Sequence, residues 1–249
     1  MNSDFEVIYL NEQPIEICYA EEIGFICTNS DSITIFNDTI DIPNKKIPWT
    51  GVYGCAINEN NEIYISDKVL NHVYKMHYCD DFELKTQGQF GTTGSRDVDL
   101  NSPHGIALSK NLIFVCDFKN KSLKLLEFNL KLAFSYQLTF SPISIKCSDK
   151  TIGICGDKET CFIDLRSLSI EKEYPGYSGR MNFIHPNFYV VSSQSTHIFD
   201  DKGNLIETIK MNSNIGQDLE NESDGFIFFH KDNCFISSAS YHRFLKFKN

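Results

Sequence analysis

The chain has 249 residues, 13% of them aromatic and 22% charged, and a formal net charge of −10 at pH 7. A field of that sign repels polyanions at long range, which excludes indiscriminate binding to nucleic acid or membranes and leaves room only for a local basic face. No apolar run approaches the roughly 20 residues a membrane span needs, and no basic start followed by an apolar run marks a leader, so a cytoplasmic chain without membrane contact is expected.

Short apolar runs punctuated by Gly and Asn-Asp turns recur along the chain, and no long amphipathic helical stretch interrupts them, so the expected class is all-β. Residues 5–10 (FEVIYL) form a strand with no meander of their own. A first meander follows over about 12–47, with strands at 15–19, 23–27 and 33–36 and a weak outer strand at 39–42; Lys45, Lys46 and Trp49 are expected in the connection to the next. The second, about 50–90, centres its strands on Ala56, Tyr64, Tyr74 and Leu84. The third, about 102–138, takes 105–108, 113–117, 122–128 and 132–136, and a fourth (141–174) and fifth (179–210) continue the series. The last, 224–247, stops after three strands. A closed array of sheets leaves an exposed seam unless its last sheet is completed, and residues 5–10 are the natural fourth strand.

Nine cysteines, an odd number, include Cys55, Cys116, Cys155, Cys161 and Cys234 inside strands, with no Cys-x-x-Cys pair. Buried reduced thiols are therefore expected rather than a disulfide framework or a zinc site.

The most informative stretch is 89–128. It has a Gly-rich lead-in (Gly91-Thr92-Thr93-Gly94), then Ser102-Pro103-His104-Gly105-Ile106-Ala107, the strand Ile113-Phe114-Val115-Cys116-Asp117 and the turn Lys119-Asn120-Lys121. This unit resembles the NHL repeat, a family of β-propeller blades. Copies are present: Gly54-Cys55-Ala56-Ile57 with Asp67 standing where Asp117 stands, and Gly225-Phe226-Ile227-Phe228 leading to Tyr241-His242-Arg243. In the first, fourth and fifth meanders the pattern is degenerate, with Gly156 and Ser192 replacing the strand-end Asp. The resemblance implies a six-bladed β-propeller of four-stranded antiparallel blades, a single domain over 1–249 closed by the N-terminal strand completing the last blade. The NHL domains of tripartite-motif proteins, which it is similar to, bind protein partners and RNA. No RING, B-box or coiled-coil segment accompanies the pattern here, so ubiquitin-ligase activity does not carry over.

Candidate sites follow from the same frame. Asp67 and Asp117 close the second strand of their blades, where a carboxylate accepts hydrogen bonds from turn amides and fixes the loop. His104 stands at the start of an innermost strand. Peptidyl-amidating lyase propellers, a more distant resemblance, place a Pro-His pair at this point in three blades to hold zinc. Here the matching pairs are Val52-Tyr53, Pro142-Ile143, Asn182-Phe183 and Asp224-Gly225, and one imidazole does not make a catalytic zinc site. A lactonase-like cation cage, to which Asn182 and Asp224 are suited, is interrupted by Tyr53 and Ile143. No nucleophile-elbow, zincin, phosphate-loop or dinucleotide fingerprint is present, so no catalytic residue, metal or cofactor is assigned.

Sorted by propeller face, the turns joining first to second and third to fourth strands are acidic (Glu21, Glu22, Glu59, Glu62, Asp80, Asp81, Asp149, Asp164, Asp200, Asp201). The opposite loops mix cations with rings, and a partner- or RNA-binding face is expected there over Lys68, His72, Arg96, His104, Phe118, Lys119, Lys121, Lys158, Tyr177 and Arg180. A protein partner is the first expectation, because such a mix is typical of interface hot spots. Single-stranded RNA on the same face is the second, a channel-centred metal hydrolase or lyase the third, and no DNA is expected.

Overall fold

The computed structural model describes residues 5–9, 14–36, 43–79, 83–109, 111–192, 195–210, 227–230, 233–238 and 243–248; of these, 5–9, 14, 43–44 and those from 227 onward are described by their backbone. The chain falls into two compact units, residues 15–143 and residues 1–14 with 144–249. Their described elements are strands in four-stranded antiparallel sheets, the architecture of a β-propeller.

The 15–143 unit holds three sheets. The first orders β2 (Pro14–Ala20), β3 (Gly24–Asn29), β4 (Ser32–Phe36) and β5 (Pro43–Pro48) side by side. The second orders β6 (Val52–Ile57), β7 (Glu62–Asp67), β8 (His72–Cys79) and β9 (Glu83–Phe90). The third orders β10 (Pro103–Leu108), β11 (Leu112–Asp117), β12 (Ser122–Glu127) and β13 (Leu132–Gln137). Short turns between successive strands make every pairing antiparallel.

Burial explains the sequence pattern. The second strands are covered on both faces, so Ile63-Tyr64-Ile65 and Ile113-Phe114-Val115 are continuously apolar and fully buried instead of alternating. The outer strands β9 and β13 are largely exposed and carry Glu83, Lys85 and Gln137. One cluster (Ile23, Ile26, Ile33, Ile35, Val52, Cys55, Ile63, Ile65, Met76) fills the space between the first two sheets. Another (Tyr64, Val73, Leu100, Ile106, Ile113, Val115, Leu126, Leu130) joins the second to the third. Each fully buried aliphatic side chain contributes about 1.5 to 3 kcal/mol. The inner strands approach closely enough that a Cβ on Gly54 would lie 2.7 Å from the His104 carbonyl oxygen and 2.9 Å from the Ile106 nitrogen, so glycine is required there.

The unit containing the termini has the sheet β14 (Pro142–Cys147), β15 (Thr151–Gly156), β16 (Glu159–Asp164), β17 (Ile170–Pro175), then β18 (Arg180–Ile184), β19 (Asn187–Val191), β20 (Ser195–Phe199), β21 (Leu205–Lys210). Cys155, Phe162, Met181, Phe188, Val190 and Phe199 pack between them. Its remaining sheet is composite: β22 (Ile227–His230), β23 (Asn233–Ser238) and β24 (Arg243–Lys248) are completed by β1 (Phe5–Tyr9). β1 pairs antiparallel with β24, from Phe5 opposite Phe247 to Tyr9 opposite Arg243.

Two expectations change. Blades built from four consecutive strands number five, not six, because the last sheet draws its fourth strand from the other end of the chain. The outer strand of the first sheet is β5, later than the 39–42 expected, and residues 37–42 lie outside the described residues. Lys46 pairs with Thr34 and Ile47 with Ile33, so Lys45 and Lys46 belong to an outer strand and not to a connection. Pro43 at the strand start is compatible with an edge, since proline cannot donate to a ladder.

The eight cysteines whose side chains are described are free thiols. Burial pushes the Cys147 thiol up to about 12 and those of Cys27 and Cys161 higher still, so these sulfurs stay protonated and unreactive at neutral pH.

Candidate functional site

In the 15–143 unit, β7 and β11 each end on a fully buried aspartate. Asp67 Oδ1 accepts hydrogen bonds from the amides of Val69 (2.9 Å) and Leu70 (2.8 Å), and its Oδ2 accepts one from Trp49 Nε1 (2.9 Å). Asp117 Oδ1 accepts from the Asn101 amide (2.7 Å), and its Oδ2 from Asn120 Nδ2 (2.8 Å) and Ser122 Oγ (3.4 Å). Burial raises the Asp117 carboxyl above its ordinary value, while those donors pull it down. The two aspartates are loop-fixing groups. Each following turn closes through a left-handed residue, Asn71 (φ 59°) and Lys121 (φ 49°).

These turns clamp the loop at 91–102. Asn71 Nδ2 donates to Thr93 Oγ1 (2.9 Å) while its Oδ1 accepts from the Ser102 amide (2.6 Å), and Asn120 Nδ2 donates to the Gly94 carbonyl (2.9 Å). Within the loop Arg96 grips Asp99 with two hydrogen bonds, Nε to Oδ2 at 2.8 Å and Nη2 to Oδ1 at 2.9 Å, and Thr92 Oγ1 adds a third at 2.7 Å. The Arg96 and Thr92 donors hold the Asp99 carboxyl well below the usual carboxylate range, and the pairing raises Arg96 in turn. Arg96, with its side chain 76% exposed, is therefore ion-paired within its own loop, a partner the sequence reading did not assign.

Between the turns lies a run of rings. Tyr53 and His104 have centroids 4.1 Å apart, His104 and Phe118 stack at 4.5 Å, and Lys68 Nζ sits 5.3 Å from the Tyr53 centroid. His104 Nδ1 lies 2.7 Å from the Ser102 carbonyl, and a carbonyl only accepts, so this nitrogen carries the proton. His72 repeats the arrangement against the Leu70 carbonyl (2.6 Å) and stacks on Tyr74 (5.6 Å). Lys119 and Lys121 are exposed on the neighbouring turn. So are three aliphatic side chains that sequence reasoning missed: Val69, 57% exposed, Leu70, 52%, and Val98, 50%. The apolar pair Val69-Leu70 between Lys68 and Asn71 was the available signal, although Val69 also lies against Gly51.

The remaining expected residues belong to the other unit. Lys158 is exposed on the β15–β16 turn between Asp157 and Glu159. Tyr177 packs its ring 4.2 Å from His197, and its carbonyl accepts from Thr160 Oγ1 (2.8 Å). Arg180 is buried in β18, 8% exposed, and so is not a surface cation. Asn182 is also buried there. Asp224, Tyr241 and His242 lie outside the described residues.

Among the described residues no three His, Cys, Asp or Glu side chains come together to hold a metal ion. Ser195 Oγ and His197 Nε2 are 2.9 Å apart, but His197 Nδ1 is oriented by the Thr208 hydroxyl (2.9 Å) where a nucleophilic pair has a carboxylate.

Residues 100–124 match the family model of the NHL repeat. No curated protein matches the chain in sequence. Solved structures do. A gluconolactonase from Xanthomonas campestris superposes with a TM-score of 0.70 at 10% identity, covering 98% of this chain and 89% of its own. A catalytically inactive virginiamycin B lyase from Staphylococcus aureus with quinupristin gives 0.65 at 12%, covering 99% and 100%. A functionally unknown protein from Desulfotomaculum acetoxidans gives 0.65 at 16%, covering 79% and 71%. At these identities the likeness is one of fold, and the fold hosts several chemistries. The chain is thus a β-propeller of four-stranded antiparallel sheets, with an NHL repeat running from the end of the clamped loop through β10 and β11 into β12.

Proposed function

We propose that this protein is a non-enzymatic interaction module that binds a protein partner through the loop face of the 15–143 unit, on a propeller whose composite sheet serves as the sixth blade. One observation carries the reading. Two turns, each fixed by a buried aspartate and fastened by an asparagine to the loop at 91–102, hold exposed Val69, Leu70, Lys119 and Lys121, and the loop adds Val98, beside stacked rings. Rigid loops bearing aliphatic, aromatic and cationic groups suit a protein interface, whose core is apolar and whose rim is charged.

A second reading, single-stranded RNA on the same face, is favoured by Lys68 over Tyr53 and by the stacking of His104 on Phe118, a combination suited to phosphate contact and base stacking. It ranks second because RNA has little use for three exposed aliphatic side chains and because Arg96 is engaged by Asp99. Affinity capture from native lysate, with and without nuclease, separates the two. Nuclease-resistant protein retention that disappears in the Lys119→Glu, Lys121→Glu variant supports the module; retention abolished by nuclease transfers the face to RNA.

A further inference from the structure

We infer that the segment this face takes up is an acidic peptide with at least one aliphatic anchor; the inference rests on the protein-binding reading above and specifies its ligand. The charges on the face show why. Arg96 is held by two hydrogen bonds from its own loop's Asp99, and exposed Asp97 lies 3.9 Å from the ammonium of Lys124. Lys68 lies over the Tyr53 ring. Among the described residues no carboxylate lies within ion-pair distance of the Lys68, Lys119 or Lys121 ammonium groups. The uncompensated charge of these turns is therefore positive, on a chain whose net charge is −10. A local reversal of sign selects an oppositely charged ligand and fixes its orientation more than it adds raw affinity.

Affinity must come from elsewhere, and the same turns supply it. Val69, Leu70 and Val98 are each at least half exposed, and Asn71 fastens the first two to the loop carrying the third. The corresponding turn of the β14–β17 blade presents Lys158 flanked by Asp157 and Glu159, without an exposed aliphatic residue. Charge reversal and apolar exposure thus coincide at the turns after β7 and β11 and the loop they clamp. Acidic residues alternating with aliphatic ones would meet both, with carboxylates on Lys119 and Lys121 and an aliphatic side chain against Val69 and Leu70.

The test is selection of short random linear peptides displayed on phage against the full chain, followed by fluorescence anisotropy with the enriched peptide. The expected result is net-negative peptides containing Leu, Ile, Val or Phe, with affinity that falls about tenfold or more in Lys119→Glu, Lys121→Glu and about three- to tenfold in Leu70→Ser. All three positions are exposed, so the variants retain the core. Neutral or basic peptides lost with the same variants would overturn the acidic assignment and leave the protein-binding reading intact. Peptides indifferent to all three changes, or no enrichment, would overturn both. Displacement of the peptide by oligouridylate at a lower concentration than by the unlabelled peptide itself would move the site to RNA.

Discussion

The β6–β9 and β10–β13 blades and the β14–β17 blade solve the same connection differently. At the end of the second strand the first two place Asp67 and Asp117, and the chain then runs through residues 68–71 and 118–121 before the next strand starts. At the equivalent point of the β14–β17 blade stands Gly156, and only residues 157–158 intervene before β16. There the short link is tied down by main-chain contacts, the Gly176 amide donating to the Lys158 carbonyl (2.8 Å), and by Thr160 reaching the Tyr177 carbonyl. The difference teaches that one buried carboxylate, by satisfying several donors at once, lets a turn lengthen and project side chains without losing its shape. Loops that are long and rigid at once are the ones able to present a binding face.

The comparison breaks most readily at the carboxylates. Asp67→Ala strands two turn amides and the Trp49 indole, and is expected to cost about 3 kcal/mol, read as a lower denaturation midpoint. An unchanged midpoint would mean that the turn does not depend on its carboxylate.

Next comes the seam between the second and third sheets. Gly54→Ala drives a methyl group into the backbone at His104 and Ile106, for a loss of about 1 to 3 kcal/mol in the same measurement. Because neither neighbour is the end of a flexible side chain, relaxation is limited.

The turns can also be made more alike. Lys121 holds the left-handed conformation that Asn71 holds in the preceding blade, and asparagine tolerates it better than lysine. Lys121→Asn should gain about 0.5 to 1 kcal/mol of stability while removing one cation from the face, so thermal stability and peptide affinity should move in opposite directions.

The smallest effect lies in the other unit. Burial lowers the His197 imidazolium below its ordinary value of 6.5. Between that value and the folded one the unfolded chain binds more protons, so stability is intact above the ordinary histidine range and declines as pH falls through it. Melting temperatures followed from mildly alkaline to mildly acidic pH should fall less in His197→Phe than in the wild-type chain; equal slopes would remove His197 from the account.

Much of the fold was legible in the sequence because its signals are local. Continuous apolar runs such as Ile113-Phe114-Val115 mark a doubly covered strand, and Asp67 and Asp117 mark strand ends fifty residues apart with the same donors nearby. The missing fourth strand after 247 pointed to residues 5–10, and β1 pairs with β24. Legibility failed at β5, where Pro43 and two lysines give no apolar alternation and only pairing with β4 makes a strand.

The candidate face divides the same way. Residue types at 68, 104, 118, 119 and 121 announced cations and rings on loops, since turn chemistry is written within a few positions. What the chain order does not contain is the choice of long-range partner. That Arg96 spends its guanidinium on Asp99, that Asn71 and Asn120 fasten two turns to one loop, that Arg180 is buried, and that Val69, Leu70 and Val98 are left in solvent are outcomes of packing. Sequence determined which side chains each turn carries, and tertiary structure decided which of them remain available, because burial and hydrogen-bond satisfaction are settled only when distant segments meet.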